Sequence, residues 1–165
     1  MESNLIAALQ ELMPSSTFVL SWRNGVEPPS PYCLVTILST DQLGGAEESL
    51  HQDSGNQHLC TNQLSTVRLQ FLGDSKSTAY SDCELLKLLM FSFNGRNAFS
   101  RNGMSILEIN GVKRAGLTRD TKMYITSILD ITLLYKQYTN FTQYSIDTVE
   151  MTGDLSDNEI TINLP

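Results

Sequence analysis

Apolar residues recur with a helical period at the start of the chain. Leu5, Ile6, Leu9, Leu12 and Met13 share one face, and Pro14 ends the run, which predicts a short amphipathic helix. "STFVLSW" (16–22) then reads as a strand. In the connector after it, Asn24-Gly25 marks a turn, and Pro28, Pro29 and Pro31 hold the chain extended. "YCLVTILSTDQL" (32–43) is apolar on both faces near its start, as a central strand is, and Gly44-Gly45 is expected to break it. From Ala46 to Asn62 no period holds. "LSTVRLQFLG" (64–73) resumes alternation, with Val67, Leu69 and Phe71 inward and Thr66, Arg68 and Gln70 outward. These strands predict a hairpin with a long arm or loop at its tip, and connections beyond ~12–15 residues are usually functional or disordered.

A second helix is predicted over 77–95, with Ser81 and Glu84 as a capping box and Asn94-Gly95 as its stop. Its apolar residues (Tyr80, Cys83, Leu85, Leu86, Leu88, Leu89, Met90, Phe93) wrap much of the circumference. That pattern implies a helix laid across a sheet and covered elsewhere too. "GMSILEINGV" (103–112) reads as a shorter strand with a turn at Asn110-Gly111. In "KMYITSILDITLLYKQY" (122–138), Ile125, Leu129, Ile131, Leu133 and Tyr135 share the inner face. Thr126, Asp130, Thr132 and Lys136 lie opposite. The end of the chain, "DLSDNEITINLP", has a short alternating stretch suited to pairing with a neighbouring edge. The element order predicts an α+β fold, a mostly antiparallel sheet with the N-terminal helix and a second helix on one face and a long β-hairpin arm. Residues 1–152 are expected to form that domain, and 153–165 an acidic C-terminal tail.

Charge sharpens this picture. The net charge of −7 is uneven: residues 1–60 carry one base against seven acids, 61–125 nine bases against five acids, and 126–165 one base against six acids. Such a chain is a poor coat for nucleic acid, but oppositely charged segments suit subunits packed side by side. No stretch approaches the ~20 apolar residues of a membrane span, and the N-terminus lacks a signal-peptide pattern, so a cytoplasmic place of assembly is expected. Cys33, Cys60 and Cys83 are widely spaced with no CxxC pattern, and read as reduced core or near-core residues.

The candidate chemistry is thin. His51, Asp53, His58 and Cys60 offer donors for a metal-dependent hydrolase, but their spacing fits no standard metal site and no regular structure is predicted to hold them. There is no strained nucleophile turn of the G-x-S-x-G kind and no phosphate-cradling G-x-x-x-x-G-K-[ST]. Trp22, Tyr32 and Tyr124 would have to carry a carbohydrate- or protein-binding module. The bases Arg96, Arg101, Lys113, Arg114, Arg119 and Lys122 lack the interleaved aromatics of a single-strand platform and read better as a subunit contact or rim. No enzyme activity, cofactor or metal is predicted.

Several segments together resemble a known family. The N-terminal helix, "PPSPYCLVTILSTDQLG", the long polar insertion, "VRLQFLG", "AYSDCELLKLL" and "ILEINGVKRAG" are similar to the tail-terminator or neck-terminator proteins of tailed bacteriophages. The elements that carry it are Pro31-Tyr32, Val67-Arg68-Leu69-Gln70-Phe71, and Asp82 with Leu85, Leu86 and Leu89, within residues 1 to 137. The resemblance implies a virion protein forming a ring, typically of six, at the head-proximal end of the tail. That ring stops tube growth and joins the head connector on the portal side, with genomic DNA in its lumen and no sequence-specific binding. Another connector component, a stopper or adaptor, is the alternative within the same architecture. Residues expected at assembly contacts are Glu47, Glu48, Asp53, Arg68, Arg96, Arg101, Lys113, Arg114 and Arg119.

Overall fold

The computed structural model describes residues 1–22, 28–50, 56–73, 79–119, 122–142, 149–150 and 161–162. Side chains are described within these except at 48–50, 56–58, 117–119, 122–124, 140–142, 149–150 and 161–162. Helix α1 spans Glu2–Leu12 and buries Leu5, Ala8 and Leu9, the predicted face. Gln10 Nε2 donates to the carbonyls of Pro14 and Ser16, tying the helix end to the connector. Strand β1 is short, Phe18–Leu20, and pairs in parallel with the start of β2, Tyr32–Leu50. β3 is Asn56–Gly73.

The long β-hairpin arm is present as predicted, but the expected break at Gly44-Gly45 is not. The pairing strands do not stop at Gly44-Gly45: β2 runs on to Leu50, and β3 begins at Asn56. Gly44 takes φ +79° inside β2, a local kink that glycine accommodates without ending the strand. Residues 41–47 are all exposed, and their two apolar side chains, Leu43 and Ala46, fall on opposite faces, so no period-2 alternation is visible in sequence. Backbone pairing, which any side chain permits, defines the strand instead.

The helical region also differs. α2 is Ala79–Phe91, so Ser81 and Glu84 lie inside it rather than forming a capping box. Glu84 instead accepts a hydrogen bond from the Tyr80 hydroxyl and pairs with Lys87. Asn94-Gly95 is no stop, because it falls in the first turn of α3, Phe93–Arg101. Ser92 joins the two helices. Its hydroxyl donates to the Leu89 carbonyl at 2.6 Å and accepts from the Gly95 N–H at 3.0 Å. α3 ends at Asn102-Gly103, where Gly103 has φ +73°.

β4, Met104–Ile109, pairs antiparallel with β6, Lys122–Thr142, through Met104↔Tyr135 to Ile109↔Ile131. β5, Lys113–Arg119, continues along β6 from Lys113↔Ile128 to Arg119↔Lys122. β4 and β5 therefore form one interrupted edge along β6, and Asn110-Gly111 is a break in it, not a reversal. The Asn110 N–H still donates to Asp130 O. The sheet order is β1-β2-β3-β6-β4, with β5 on β6. The fold is α+β, as predicted. Its core joins α1, α2 and α3 to Cys33 and Val35 of β2, Val67, Leu69 and Phe71 of β3, and Leu129, Ile131 and Leu133 of β6. Thr126, expected outside, is fully buried and donates to Ala115 O at 2.8 Å, because β5 lies beside it.

The chain forms two compact units, one of residues 1–45 and 61–137, the other of 46–60 and 138–165. In the second, β7 (Val149–Glu150) pairs antiparallel with β8 (Thr161–Ile162), so the alternating end of the chain finds a partner in its own chain.

Candidate assembly surfaces

Of the residues expected at assembly contacts, three basic ones are engaged within the chain. Arg68 makes a bidentate pair with Asp130 across the sheet, Nε to Oδ1 at 2.8 Å and Nη2 to Oδ2 at 3.0 Å, and this hydrogen bond first of all holds the guanidinium pKa up. Arg101, in the last turn of α3, pairs with Glu11 of α1. The Arg114 guanidinium lies 4.0 Å from the centre of the Tyr80 ring, a cation–π contact between β5 and α2. Arg96, Lys113 and Glu47 are exposed. The side chains of Glu48 and Arg119 and all of Asp53 lie outside the described residues.

Among the described residues, several large apolar side chains stand exposed on α2 and at the start of α3. Cys83, Leu86 and Met90 face the core along one stripe of α2. The opposite side and the start of α3 leave Leu85 (48%), Leu88 (65%), Phe91 (50%) and Phe93 (78%) open to solvent. A helix apolar all round implied cover on both sides, and among the described residues only one side receives it. Scattered exposed leucines are ordinary, but Leu85, Leu88 and Phe91 follow one another at i, i+3 spacing along α2, so their exposed side chains are neighbours on the helix surface.

Chemistry has little to build on here. His51 lies outside the described residues, as does the side chain of His58. Among the described residues no group of His, Cys, Asp and Glu side chains could hold a metal ion. All three cysteines are free thiols. Burial above all, and then Cys83, pushes the Cys33 thiol well up. Cys83 is pushed up to about 12, mainly by burial and then by Glu84. Both stay protonated at neutral pH, the opposite of an activated nucleophile. A depression of about 510 Å³ beside Met1, Ile37, Thr40 and Tyr135, and one of about 210 Å³ beside Met13, Tyr32, Phe71 and Leu85, bring together no such cluster. Among the described residues no helix is long and apolar enough to cross a membrane.

The chain is thus an α+β protein with large apolar side chains exposed along α2 and the start of α3. The chain belongs to the family of phage neck terminator proteins, which matches residues 3–159. The match runs beyond residue 137, into the acidic end of the chain. No curated protein matches the chain. Membership gives it a structural role at the neck of the virion, where tail and head proteins meet.

Proposed function

We propose that copies of this chain close into a ring, six in number, at the head-proximal end of the tail. The ring halts growth of the tail tube and joins it to the head connector, and the genome passes through its lumen. The α2–α3 ridge carries this reading. Leu85, Leu88, Phe91 and Phe93 lie in water in the single chain, and association removes that area from solvent at roughly 25 cal/mol per Å². The charge pattern agrees: basic 61–125 and acidic flanks match when one face of a subunit meets a different face of the next, as a closed ring requires. A net charge of −7 also suits a passage through which DNA slides without being held.

The test is the native mass of the purified protein, followed by imaging of negatively stained particles. Six chains of 18.4 kDa give about 110 kDa and a ring with an open centre. A monomer mass at all accessible concentrations, with no ring on addition of tail tubes, overturns the reading.

A further inference from the structure

Among the described residues the sheet has two open edges of opposite charge. On one side β1 covers β2 only through Phe18↔Cys33, Val19↔Leu34 and Leu20↔Val35. The last bond of that pair is Ser21 N–H to Val35 O. Among the described residues, β2 has no partner on that side beyond Val35, and the strand alternation turns the N–H and C=O of Ile37 to the same open side. Side chains from Leu38 to Glu47 are exposed. From Thr36 to Leu50 the strand carries Asp41, Glu47 and Glu48 and no base. At the opposite end of the sheet order, β4 and β5 line β6 and have no outer partner among the described residues. β5 carries Lys113, Arg114 and Arg119 and no acid.

Unpaired edges of this length invite another strand, and proteins that must stay single cover or blunt them. We propose that the β2 edge of one copy pairs, backbone to backbone, with the β5 edge of the next. The sheet then runs on from subunit to subunit, with the acids of β2 against the bases of β5. The occupant is a second copy because the two edges are complementary in charge and lie at opposite ends of the same sheet. A contact between different faces of identical chains is the kind that repeats around a ring. Ten residues from Thr36 to Gly45 offer about five outward-facing N–H and C=O sets, enough for a ladder as long as β5. Leu38 and Leu43, exposed on β2, gain cover in the process.

This inference rests on the ring reading, and charge exchange separates the two. One variant carries Asp41→Lys and Glu47→Lys, and a second carries Lys113→Glu and Arg114→Glu. Each alone is expected to associate about tenfold more weakly than the unaltered protein, while an equal mixture of the two, or all four changes in one chain, regains assembly. Hydrogen exchange supplies the backbone readout: amides of residues 37–45 slow on assembly. Melting curves show that each variant folds. Should the second variant unfold on losing the Arg114–Tyr80 contact, Asp41→Lys and Lys113→Glu replace the pairs. Unaltered protein that stays monomeric overturns the ring and this pairing together. Unaltered protein that assembles, with variants that assemble equally, a mixture that does not recover, or unprotected 37–45 amides, leaves the ring standing and overturns the edge pairing.

Discussion

Arg68 and Asp130 show how one pair of residues can be read two ways. In sequence both are polar positions on an outward strand face, 62 residues apart, and Arg68 passes for an assembly contact. In the structure they are each other's partner, and their exposures are unequal: the Arg68 side chain is 39% exposed and that of Asp130 12%. Removing the arginine strands a nearly buried carboxylate, whereas removing the aspartate leaves a guanidinium that reaches water along its apolar stem. Arg68→Ala should therefore destabilise by about 1–3 kcal/mol, and Asp130→Ala by clearly less. Urea denaturation of both variants checks the order. Equal losses would mean that the pair acts only as a surface ion pair, worth ~0–1 kcal/mol.

Elements turn on where the chain bends, and Asn-Gly dipeptides do three different things here. At Asn102-Gly103 the glycine ends α3 with φ +73°. At Asn110-Gly111 the pair interrupts an edge strand. At Asn94-Gly95 the glycine sits where α3 springs from α2, and an added Cβ would lie 2.0 Å from the Leu89 carbonyl oxygen. A backbone atom cannot give way as a side-chain tip can. Gly95→Ala should cost at least the ~1–3 kcal/mol of overpacking and part α2 from α3, while Gly111→Ala, with nothing within 4 Å, should leave the melting temperature nearly unchanged. Comparable melts for the two variants would show that the helix junction yields.

At the scale of the whole molecule, every described residue of the hydrophobic core belongs to the unit of 1–45 and 61–137. Deleting residues 46–58 and closing the hairpin with a short turn should leave the cooperative melt of that unit within a few degrees, since a shorter loop costs no more entropy to close. Assembly should fail all the same, because an arm this much longer than a hairpin turn requires has a use outside the core. Complementing virions that lack the protein with the deletion variant and counting infectious particles tests the claim. A normal yield would remove the arm from assembly, and a collapsed melt would place it in the core.

Sequence alone determined the parts of this protein that bury apolar side chains on one face. α1, the inner faces of β3 and β6, and the α+β class follow from periodicity, because burial writes a period of 3.6 or 2 into the chain. Tertiary structure decided whatever has no such signature. The arm is strand although residues 41–47 are all exposed and show no apolar alternation, because backbone pairing between β2 and β3 makes it so. The Asn-Gly at 94–95 opens a helix rather than closing one, because Ser92 caps it and the preceding turn of α2 leaves no space for a side chain. Thr126 is buried because β6 folds back along β5, whose Ala115 carbonyl accepts its hydroxyl. The same apolar letters place Leu86 in the core and Leu88 in water, since only the packing of α2 on the sheet decides which side of an all-round apolar helix this chain covers.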